Sequence, residues 1–125
     1  MDIIEFLKAR LDEEEAKARA AHGATWVASQ RGGVVDLDDT DGNQIAGGDG
    51  GLAWSDADFM AHNHPARVLR EIAAKHAILL QYTDAVTDWE EDREAPDGVG
   101  ALEAVILRMA GVYAAHPDYR QEWAP

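Results

Sequence analysis

The sequence predicts an α+β fold: a mainly helical single domain with an N-terminal helix, a small antiparallel β-meander, three further helices and a C-terminal turn. Three observations predict it. Apolar residues recur at helical spacing towards both ends of the chain, short β-branched or aromatic runs alternate with turn residues in between, and 125 residues is the length of one domain. The expected boundaries are 1–22 for the first helix, 25–47 for the meander, 55–115 for the helical part and 116–125 for the turn.

Each element has its own signal. In "DIIE", Asp2 and Glu5 stand at the spacing of a capping box, in which each side chain closes a free backbone N–H of the other. Ile4, Leu7, Leu11 and Ala18 then draw one stripe, and Glu13–Lys17 and Glu15–Arg19 are i,i+4 pairs in the favourable order. Gly23 suits the left-handed residue that ends a helix. "TWVAS" and "VVDLD", separated by "QRGG" and followed by "DDTDGNQIAGG", read as strands near 25–29, 34–38 and 43–46. So small a sheet is marginal alone, so one face must pack on helices. "GGDGG" is a connector.

The next helix is expected to start with Ser55 as N-cap, Asp58 three residues on, and Trp54 against Phe59 as a hydrophobic staple. It stops early, because His64 precedes a proline and is pushed out of the α region. Pro65 opens a long helix, where no N–H is needed, and Val68, Leu69, Ile72, Leu79 and Leu80 carry its stripe to Tyr82 or beyond. A last helix over 101–115 shows Leu102, Val105, Ile106, Met109 and Tyr113. Tyr113, Tyr119 and Trp123 are expected to close the C-terminal turn over the core.

Charge is the strongest global signal. Eleven Lys and Arg face 24 Asp and Glu, a formal net charge of -13. Between Arg31 and Arg67 there is no Lys or Arg, while Asp36, Asp38, Asp39, Asp41, Asp49, Asp56 and Asp58 all fall there. Nucleic-acid binding needs a basic footprint, so direct binding is not expected. Cysteine is absent, which removes disulfides, thiolate nucleophiles and Cys-based zinc sites. The acidic start and the lack of a long apolar run predict a cytoplasmic protein with no membrane span.

Candidate chemistry centres on "HNHPARVLRE". An H-x-H pair works best on an extended segment, where i and i+2 point the same way, yet His62 is expected to end one helix and His64 to precede the next. A metal-dependent hydrolase would need His62, His64, His116 and Asp118 together, since catalytic zinc takes three protein ligands and an open position. The simpler reading is that His62 complements the end of its helix and His64 fills the cap position before Pro65. His76 reads as a boundary or core residue. "GGDGG" lacks the G-K-[ST] of a phosphate loop, "DTDGNQ" breaks the EF-hand register, and there is no G-x-S-x-G. No catalytic residue, cofactor or metal is expected.

Trp89, inside the charged run "DWEED", is the natural anchor for a partner, with Glu90, Glu91 and Asp92 around it. Three segments, "FLKARLDEEEAKARAA", "HPARVLREIAAKHAIL" and "YAAHPDYRQEWAP", resemble a family of small acidic proteins from actinobacteria and their phages, catalogued only as a domain of unknown function. That resemblance implies a provenance and no activity; His64 stands where members of the family more often carry aspartate. The function expected is that of a small acidic, non-enzymatic interaction protein, phage-encoded and binding a host or phage protein. An inhibitor that mimics nucleic acid and the metal-dependent hydrolase are the alternatives. A basic protein partner is expected, and a homodimer is compatible with leftover apolar surface on the last two helices.

Overall fold

The computed structural model describes residues 1–91 and 96–125, with the backbone alone for 96 and 97. The architecture is α+β, with helices α1 (Ile3–Ala20), α2 (Trp54–His62), α3 (Pro65–Glu90) and α4 (Pro96–Gly111), strands β1 (Trp26–Arg31), β2 (Val34–Asp39) and β3 (Gln44–Gly47), and a closing 3-10 turn, Gln121–Trp123. Backbone proximity divides the chain into two compact units, Glu14–Ile72 and, for the rest, Met1–Glu13 with Ala73–Pro125.

In the unit Glu14–Ile72 the three strands form an antiparallel sheet in the order β1-β2-β3. Arg31 pairs with Val34, leaving Gly32 and Gly33 as a two-residue hairpin loop. Both have positive φ, 58° and 82°, the mirror-image turn whose twist matches that of the strands. The β2–β3 register shifts by one residue between Leu37 and Asp38. On β2 the alternation of a half-buried strand is strict: Val35, Leu37 and Asp39 are buried. Helix α2 packs on β1 and β2, which supplies the cover so small a sheet needs.

Helix α2 begins earlier than expected. Its N-cap is Ala53, extended at φ -78° and ψ 146°, with no side-chain cap, and Ser55 lies inside the first turn. Asp56 supplies the negative charge that the helix N-terminus favours. With the register moved, the expected staple does not close: Trp54 is 46% exposed and Phe59 70%. The other end is as read, with α2 stopping at His62 and α3 starting at Pro65.

In the other unit, Phe6, Leu7 and Leu11 of α1, Leu79 and Ala85 of α3, Val99, Ile106 and Ala110 of α4, and Trp123 are buried. The capping box forms as predicted: the Asp2 N–H donates to Glu5 Oε2 (3.2 Å) and the Glu5 N–H to Asp2 Oδ1 (2.8 Å). Helix α3 runs on to Glu90, and the Thr83 and Thr87 hydroxyls, which compete with a helix ladder when they bond elsewhere, here donate to the carbonyls of Leu80 and Thr83 one turn back. Helix α4 starts at Pro96, five residues before the predicted start, and gives way after Gly111 to successive tight turns. Leu80 and Val105, assigned to apolar stripes, stand 62% and 40% exposed. No helix among the described residues is long and apolar enough to cross a membrane.

Candidate functional site

His62, exposed at the end of α2, offers its carbonyl to Arg67 Nη1 at 3.3 Å, so the cation at this helix C-terminus is supplied by arginine. The same last turn of α2 is closed by Asn63, whose Nδ2 donates to the Phe59 carbonyl. His64 occupies the cap position of α3, yet its ring does not cap that helix: Nδ1 accepts the Trp26 N–H at 3.2 Å. In the same place the Ala66 N–H, free in the first turn of α3, donates to the Ala24 carbonyl at 2.8 Å. Two hydrogen bonds of opposite sense thus clip the start of α3 to the start of β1. The lone pair on Nδ1 places the His64 proton on Nε2.

His116 is equally engaged. Its Nδ1 accepts from Arg10 Nη1 at 3.0 Å and from the Asp118 N–H at 3.0 Å. Arg10, 7% exposed, also donates from Nε and Nη2 to both oxygens of Glu13, at 3.1 and 2.8 Å. Its guanidinium stacks 5.1 Å above the Phe6 ring, and Phe6 in turn has Tyr113, His116, Tyr119 and Trp123 around it at 5.1 to 6.2 Å. The expected aromatic closure of the C-terminal turn is therefore present, with Phe6 and Arg10 at its centre. Sequence reading missed both. Their i,i+4 spacing on α1, an aromatic one turn before an arginine, was the available signal.

Within its own unit, none of His62, His64, His116 and Asp118 joins a group of three or more metal-binding side chains among the described residues. His76 lies 3.9 Å from Asp12 and is partly exposed, as its boundary position on α3 implies.

Asp39 is the buried acid of the sheet. Oδ1 accepts the N–H groups of Asp41 (3.0 Å) and Asn43 (2.8 Å), and Oδ2 accepts Asn43 Nδ2 (3.0 Å). The Asn43 side-chain bond, then its backbone bond, hold the Asp39 carboxyl below its ordinary value; burial opposes them, and Asp41 and His22 add to the lowering. The Asp39 carboxyl is thus consumed in shaping its own loop.

One surface of α3 and α4 is left open. Ala77, Leu80, Gln81, Asp84, Ala85 and Asp88, with Leu102 of α4, line a shallow groove of about 360 Å3. Nearby, burial and then the Glu103 carboxylate push the Tyr82 phenol up from its ordinary value. Trp89, directly after Asp88, is 46% exposed, and Glu90 and Glu91 are exposed beside it. Asp92, the fourth residue expected in this cluster, lies outside the described residues.

The sequence profile of DUF6221, a family of unknown function, matches residues 1–125. The chain belongs to this family. Neither a curated protein nor a solved structure matches it. DUF6221 membership covers both compact units, and it brings no activity and no assigned residue. For this DUF6221 protein the chemistry must therefore be read from the surface itself. The His64 and His116 rings are spent on backbone and arginine contacts, and an acid-lined apolar face lies open at the end of α3.

Proposed function

We propose that this protein acts by binding another protein, a basic one, and not by catalysis. On this reading it is a cytoplasmic, phage-encoded protein whose partner is a host or phage protein. The observation that carries it is Trp89, half exposed on the last turn of α3 between Asp88 and Glu90. An exposed aromatic side chain gains free energy when a partner covers it, and aromatics dominate interface energetics. The carboxylates around it select a cationic surface and speed its approach. A net charge of -13 acts in the same direction at longer range.

The test is capture from a cell extract by the tagged full chain, at low and at raised salt, with wild type and Trp89→Ala compared. A basic protein should be retained at low salt, released as the Debye length shortens, and lost from the Trp89→Ala column. Capture that ignores both salt and Trp89 would reject the reading.

A further inference from the structure

We propose, resting on the protein-binding reading above, that the groove of α3 and α4 seats a basic amphipathic α-helix of the partner. The spacing of its lining supplies the first reason. Ala77, Leu80 and Gln81, Asp84 and Ala85, and Asp88 recur every three to four residues along one side of α3, the seam by which one helix receives another. Residues 77 to 88 span about 16 Å at 1.5 Å per residue, three turns of a docked helix. Ala77 and Ala85 keep the floor low, so a second backbone can come close, while Leu80, 62% exposed, and Leu102 stand as apolar walls.

Helix α4 gives a second reason. Its inward residues, Val99, Ile106 and Ala110, are buried at 7%, 1% and 0% exposure. A second apolar line follows on from Leu102 of the groove wall, through Val105 and Met109 to Val112, just past the end of the helix, at alternating three- and four-residue steps. Val105 and Val112 on that line are 40% and 73% exposed. A helix apolar on two sides is built to be covered on both.

Charge decides the occupant. The charged residues lining the groove are Asp84 and Asp88; no lysine or arginine lines it among the described residues. A helix whose apolar stripe is edged by lysine or arginine meets carboxylates where its cations fall. A second copy of this chain does not fit that description. It carries -13 overall, its α3 would bring further carboxylates at Asp84 and Asp88, and residues 98–112 hold one acid and one base, Glu103 and Arg108. The groove is also too open to enclose a small molecule, which needs most of its surface covered.

The probe is a synthetic helical peptide with leucines at i, i+3, i+4 and i+7 and lysines on either side, fluorescently labelled and titrated with the full-length protein by anisotropy. A glutamate-for-lysine version is the control. Binding should be seen for the basic peptide alone and weaken with salt. Leu80→Glu should reduce it about tenfold or more, as for an interface anchor, and Asp84→Lys about three- to fivefold. The sign at Leu80 is diagnostic, because the substitution adds a negative charge. Indiscriminate attraction to an acidic protein would strengthen, whereas docking in the groove weakens. Leu80 is exposed, so circular dichroism should show both variants folded.

No binding of the basic peptide, or binding that Leu80→Glu leaves equal or tighter, overturns the proposal. A wild-type dimer in sedimentation that Leu80→Glu converts to monomer also overturns it, assigning the groove to a second copy. If the peptide fails while Trp89-dependent capture of a basic protein succeeds, the groove assignment falls and the protein-binding reading stands.

Discussion

At Gly23 the backbone has φ +74°, and a Cβ placed there would lie 2.5 Å from the Asp39 Cβ. Gly33 has a similar φ, +82°, but open space around it. The two glycines therefore separate conformational strain from steric conflict. Gly33→Ala should cost about 1 kcal/mol for the left-handed conformation alone. Gly23→Ala should cost clearly more, because Asp39 must also move, and urea unfolding of the pair measures the difference. Asp39 itself makes stability depend on acid. Its folded-state value lies below that of the unfolded chain, so its contribution is complete above the ordinary carboxylate range and fades as pH falls through the lowered folded value. Melting temperatures of wild type and Asp39→Asn should accordingly differ at pH 7 and converge only as pH falls below the ordinary carboxylate value and through the lowered folded one.

Between residues and whole units, two small assemblies hold elements in place. The first is the clip between α3 and β1. His64→Ala removes the acceptor of the Trp26 N–H and should cost about 1 kcal/mol, with faster hydrogen exchange at the Trp26 amide. His64→Asp is the sharper variant. Aspartate carries Oδ1 one bond beyond Cγ, where the ring carries Nδ1, so it can accept the Trp26 N–H in the ring's place and exchange at Trp26 should stay slow. The second assembly is the aromatic closure around Phe6. Trp123, 7% exposed and 5.1 Å from the Phe6 ring, closes it through a single 3-10 turn. Trp123→Ala should destabilise by about 3 kcal/mol, the usual cost of truncating a buried aromatic, read from chemical denaturation.

At the scale of the whole molecule the dominant quantity is charge. A chain at -13 repels itself, and added salt screens that repulsion. Melting temperature should therefore rise between about 20 and 300 mM sodium chloride, since the Debye length falls several-fold over that range. The same salt should weaken partner binding. Opposite responses of folding and of association to one variable would be hard to obtain from a protein whose acids served solubility alone; a melting temperature that falls with salt would contradict the charge argument.

Local signals settled most of the chain's elements. The capping box at Asp2 and Glu5, the paired glycines at 32 and 33, and Pro65 after His64 each act within a few residues, so composition and spacing were enough to place α1, the β1–β2 hairpin and the α2–α3 break. The same holds for the three aromatics of the C-terminal turn, Tyr113, Tyr119 and Trp123, which lie within one short segment, but not for Phe6, on which they close. What local signals could not decide was which side of a helix finds cover. Leu80 and Val105 sit at the right spacing for a core, and Ser55 at the right spacing for a cap, but burial and cap register depend on neighbours distant in sequence. Tertiary structure alone assigned Arg10 to His116, 106 residues away, and the His64 ring to the Trp26 amide, 38 residues away. Periodicity records that a face is apolar; only the packed chain shows which apolar face is left over.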